Sequence, residues 1–86
     1  MDKSKYTILV VDDVVDNVTI IDKVLSKVGY KILTANDGIE ALRMADKEKV
    51  DLILLDIMMP KLSGIDVCRY LKVEPETSAI PVIFLT

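Results

Sequence analysis

Two apolar runs in this sequence stop abruptly at acid. Ile8-Leu-Val-Val11 leads into Asp12-Asp13, and Leu52-Ile-Leu-Leu55 leads into Asp56, followed by Ile57, Met58, Met59 and Pro60. Unbroken apolar runs of this length suit strands covered on both faces, so each carboxylate stands where a buried strand ends. Pro60 lacks a backbone donor and biases Met59 toward an extended conformation, which makes Asp56 to Leu62 a loop at the strand's carboxyl end. Taken singly, an acid after a strand is more often a helix cap than a ligand. Brought together, three carboxylates repel one another and raise the pKa of at least one, unless a cation offsets them. Oxygen donors without imidazole favour Mg2+ or Mn2+ over zinc, and Mg2+ keeps waters that phosphoryl oxygens can replace. Such a site expects a phosphoryl group.

The composition excludes several other chemistries. The 86 residues contain no histidine, so the chain supplies neither a Ser-His-Asp triad, nor a histidine-bound zinc, nor a phosphohistidine. Cys68 is alone and cannot form an internal disulfide; within a helical pattern it reads as a buried thiol. Eleven basic against 14 acidic residues give a net charge of −3, with no general attraction to nucleic acid or anionic lipid. Direct DNA binding by this segment is not expected. No apolar run is long enough to span a bilayer and no basic-then-apolar leader is present, so the expectation is a cytoplasmic protein without membrane attachment.

The elements that position the acids follow from periodicity. Tyr6 to Val11 reads as a first strand. From Asp16, Val18, Ile21, Leu25 and Val28 recur at helical spacing, Ile20 and Val24 widen the stripe, and Gly29 ends the helix. Tyr30 to Thr34 is a second strand, at a sheet edge with Lys31 toward water. Asp37 with Glu40 resembles a capping box for a second helix through about Lys49, burying Ile39, Ala41, Leu42 and Ala45. After the strand Asp51 to Leu55, Ser63 caps a third helix with Ile65, Cys68 and Leu71 on one side and Asp66 in its first turn; Glu74-Pro75 ends it. Pro81 to Thr86 is a fourth buried strand.

Strands alternating with helices imply a doubly wound parallel α/β sheet with right-handed crossovers and helices on both faces. Ligands bind such sheets beyond the carboxyl ends of the strands, where the winding reverses. The first and third strands are neighbours there, which brings Asp12, Asp13, Asp56 and Thr86 to one edge.

The set Ile8 to Asp13, Asn36-Asp37-Gly38 with Ala41-Leu42, Asp51 to Pro60, Gly64, and Ile80 to Thr86 resembles, in order and spacing, the receiver domains of two-component response regulators. The resemblance spans the chain. It implies a flavodoxin-like fold of receiver type with strand order 2-1-3-4, four strands and three helices. It also implies that Asp56 is the phosphoacceptor, loaded from a histidine kinase or a histidine phosphotransfer protein. Asp13, Asp56 and the backbone carbonyl of Met58 would bind Mg2+ (or Mn2+), with Asp12 acting largely through a water. Thr86 would be the switch hydroxyl, and an output domain or effector would read the signal, making the protein a switch rather than an enzyme. Family members continue past the position of Thr86 with a helix, a strand carrying an aromatic and a lysine, and a last helix. Residues 1–86 are therefore expected to be a receiver domain lacking that portion, with self-association through the exposed strand edge at Val82 to Leu85. Two rival readings are a phosphorylation-independent interaction module or inert receiver fragment, and a phosphohydrolase of haloacid-dehalogenase type. The second wants an aspartate two residues after its nucleophile, where this chain has Met58.

Overall fold

The chain's apolar runs become strands because β-branched and leucine side chains fill a pleated surface that helices then cover. In the computed structural model, which describes residues 2–85, the strands are β1 (Thr7–Val11), β2 (Lys31–Ala35), β3 (Leu52–Asp56) and β4 (Val82–Leu85). Helices α1 (Val15–Val28), α2 (Gly38–Lys47) and α3 (Gly64–Val73) alternate with them. All pairings are parallel and the order is β2-β1-β3-β4, as the sequence predicts. The chain folds back past β1 to place β2 on one side, then crosses over to place β3 on the other.

The two sheet faces are covered unequally. On one, Leu9, Val11, Ile53 and Leu55 pack under α2 and α3 through Ala41, Ala45, Val67 and Leu71. On the other, α1 alone covers the sheet through Val18, Ile21 and Leu25, against Ile8 and Val10. Leu52 and Leu54 are only partly covered, and a groove of about 560 Å³ opens between them and Tyr6, Leu25 and Tyr30.

This asymmetry corrects several expectations. Ile20, Val24 and Val28 were expected in the buried stripe of α1, but all three are more than half exposed. A helix resting on one narrow sheet face buries one row of side chains, and among the described residues nothing packs against its other side. Ile39 and Ile65, each the second residue of its helix, also face outward; Ala41 with Ala45 and Val67 with Leu71, each four residues apart, make the buried stripes. Strand β4 is not buried as expected: Ile83 is 53% and Phe84 40% exposed, because β4 has only β3 beside it among the described residues.

The caps are specific. Ser63 and Asp66 form a complete capping box at the start of α3. At α2 only half of one forms: Asp37 accepts from the Glu40 N–H at 2.8 Å, while the Glu40 carboxylate turns to the Asn36 N–H at 3.3 Å. Helix α2 ends at Lys47 rather than near Lys49. Helix α1 ends at Gly29, whose φ of 120° suits a residue without a side chain.

Candidate functional site

Because Val11 of β1 pairs with Leu55 of β3, the residues that follow them leave the sheet side by side. Asp12, Asp13 and Asp56 thereby come together, each offering a carboxylate oxygen, with these oxygens all within 4.8 Å of one another. Asp12 is buried, Asp56 half-buried and Asp13 exposed, so the group forms a shallow acidic cleft open to solvent.

Both strand ends use the same local device. Asp12 Oδ1 accepts from the Val14 N–H at 2.9 Å, and Asp56 Oδ1 accepts from the Met58 N–H at 3.1 Å. Each carboxylate thus bonds the backbone two residues on, which turns the chain out of its strand and fixes the acid's direction. Asp12 is further held at its second oxygen, Oδ2, by the Asn17 side-chain amide at 3.1 Å.

The loop after β3 is braced against α3. The Gly64 N–H donates to the Ile57 carbonyl at 2.9 Å, and a Cβ on Gly64 would lie 2.1 Å from the Asp56 carbonyl oxygen. Only a residue without a side chain permits that approach. Lys61 takes a positive φ of 68°, and the Leu62 N–H reaches back to the Pro60 carbonyl at 2.8 Å, closing a tight turn. Met59 is buried beneath this loop, whereas the Met58 side chain is 80% exposed.

The electrostatics are those of crowded like charges. Among the described residues the only ion pair is the exposed Arg69–Asp66 contact at 3.9 Å, so no cationic side chain pairs with the three acids. The Asp56 carboxyl is held above its ordinary value of 3.8, first by desolvation and also by the neighbouring Asp12 and Asp13; the Met58 N–H opposes the rise. A divalent cation would remove the repulsion. Three carboxylates with open solvent before them fit a hard ion such as Mg2+, which takes a few protein oxygens at ~2.1 Å and retains waters.

Of the residues singled out from sequence, Asp12, Asp13 and Asp56 are brought together and Met58 sits in the loop directly after them. Thr86 lies outside the described residues. Sequence reasoning missed Asn17, whose only signal was an amide side chain in the first turn of a helix following an acid pair. Gly64 is legible as a motif residue, but the close approach to the Asp56 carbonyl that requires a glycine is not.

A parallel α/β sheet of order β2-β1-β3-β4 with an acidic group at the carboxyl ends of its two middle strands is a doubly wound domain with its polar site where the winding reverses. The family model of the response regulator receiver domain matches residues 8–86, and the chain belongs to that family. It is 48% identical over 79 residues to the alkaline phosphatase synthesis transcriptional regulatory protein PhoP of Bacillus subtilis, covering 92% of this chain and 32% of that protein. The N-terminal domain of a response regulator receiver protein from Methanoculleus marisnigri superposes with a TM-score of 0.92 at 42% identity, covering 94% of this chain and 66% of that one. A receiver domain of a Pseudomonas aeruginosa sensor histidine kinase, solved with a magnesium ion coordinated in its active site cleft, gives a TM-score of 0.89 at 34% identity over 94% of this chain and 66% of that one. The chain thus spans about a third of its PhoP relative and about two thirds of these solved receiver chains. No helix among the described residues is long and apolar enough to cross a membrane.

Proposed function

We propose that this chain is the phosphoacceptor part of a two-component relay, taking a phosphoryl group on Asp56 in a Mg2+-dependent reaction. The observation that supports it most is the meeting of three carboxylates within 4.8 Å at the ends of β1 and β3, with no cationic side chain among the described residues paired to them. Asp13, Asp56 and the Met58 carbonyl would hold the ion, with Asp12 acting through a water. When bound, Mg2+ would neutralise charge on the phosphoryl oxygens.

The chain's own part is to present a nucleophile. An Asp56 carboxylate oxygen attacks phosphorus in line with the P–N bond of a partner's phosphohistidine. The new P–O bond forms as P–N breaks, and the imidazole nitrogen keeps the bonding pair and takes a proton from solvent. The Met58 N–H on Oδ1 orients the acceptor. Thr86 would supply the switch hydroxyl. The output it controls and the partner kinase or phosphotransfer protein would lie in other segments or other chains.

The test uses MgCl2 and acetyl phosphate. The parent chain should gain one phosphoryl adduct by intact mass, and Asp56→Asn should gain none. An adduct on Asp56→Asn would refute the assignment, while no adduct on either would favour a phosphorylation-independent interaction module.

A further inference from the structure

Among the described residues, Asp12 is the one of the three acids whose two oxygens both accept hydrogen bonds from the protein. Val14 donates its backbone N–H to Oδ1 at 2.9 Å and Asn17 donates its side-chain amide to Oδ2 at 3.1 Å. These donors differ in kind. The Val14 bond is made by backbone and survives most substitutions there, whereas the Asn17 bond depends on one side chain. Asn17 stands in the first turn of α1, and its N–H bonds the Val14 carbonyl at 3.1 Å. Its side chain is exposed, so it fills no core space and packing does not explain it. Only the nitrogen end of an amide can face a carboxylate, so the hydrogen bond also fixes which way the amide points.

We infer that Asn17 is a positioning residue that sets the metal affinity of the cleft by holding Asp12 in a fixed direction against the repulsion of Asp13 and Asp56. This rests on the reading of the cleft as a Mg2+ site. An amide held to a carboxylate is a charge-assisted bond, stronger than a neutral one, and each oxygen of the acid keeps a lone pair free to meet a cation or its water. Partners one bond behind a direct ligand commonly change metal affinity by about 10–100-fold when removed; Asp12 acts through a water, which puts Asn17 one step further out and its effect at the low end of that range. Without Asn17, Asp12 keeps one tether and can rotate about it away from its neighbours.

The experiment is a MgCl2 titration of the whole chain followed by 1H–15N NMR, with no phosphodonor. Asn17→Ala should weaken Mg2+ binding roughly tenfold, and Asn17→Leu, which keeps the branched outline but not the donor, should match it. Melting temperatures measured without metal should stay close to the parent's. In an Asp12→Ala background the Asn17→Ala change should have little further effect, because the residue it steers is gone. Equal Mg2+ affinity in parent and Asn17→Ala overturns the inference, as does an undiminished loss in the Asp12→Ala background. A parent chain with no saturable response to MgCl2 refutes the metal site itself and the inference with it.

Discussion

Asp56 carries a cost that its surroundings relieve only in part. Its carboxyl binds a proton more tightly in the fold than in the unfolded chain, so protonation favours folding and ionisation opposes it. The cost is absent well below the ordinary value of 3.8, grows as the pH rises through the raised folded value, and is fully present above it. In metal-free buffer at neutral pH, Asp56→Asn should therefore melt higher than the parent, by on the order of a few degrees. The gap should close as the pH is lowered toward 3.8. Thermal scans across that range check it, and a parent that melts above Asp56→Asn at neutral pH without metal would contradict it. Saturating MgCl2 should reverse the order. The three acids were legible in the sequence because an acid that ends a buried strand is a local pattern, visible in neighbouring letters. Asn17 was not, because its meaning depends on how α1 leaves β1, a geometry that no spacing rule encodes.

At the scale of elements, the segment from Asp56 to Gly64 is constrained in three ways at once. It combines a side chain bonding backbone two residues on, a turn with a non-glycine residue at positive φ, and a helix start pressed against the strand it follows. Gly64→Ala would place a methyl group 2.1 Å from the Asp56 carbonyl oxygen, and the atom it meets is backbone, which cannot swing aside. The variant should lose roughly 2–3 kcal/mol in urea unfolding, and the phosphoryl uptake proposed for the parent should fall as the loop shifts. A variant of parental stability would show that α3 can slide to make room. Helix number and the Ser63 cap could be read beforehand, since periodicity and capping are local, whereas the full strand order came with the receiver resemblance. The outward turn of Ile39 and Ile65 could not, because the phase of a helix against its sheet is fixed by long-range packing.

Over the whole molecule, apolar surface is concentrated where cover is thin. Ile20 and Val24 on α1, Ile83 and Phe84 on β4, and the groove beside Leu52 and Leu54 are all open among the described residues. Strand β4 also has an unpaired backbone edge there. The 86-residue chain should therefore self-associate with concentration. Sedimentation velocity over a hundredfold range should show the drift, and the Ile83→Lys, Phe84→Glu double variant should suppress it; a concentration-independent monomer would dispose of the idea. The pairing of Val11 with Leu55 has a different consequence, one for folding kinetics. Strands β1 and β3 are separated in sequence by all of α1, β2 and α2, so their contact is non-local and its loop must close before the acids can meet. A nascent or partly folded chain offers a metal ion only scattered carboxylates. If the cleft binds Mg2+, the ion engages only molecules whose central strands have already paired, and by mass action it holds them folded, making its uptake a signal that assembly is complete.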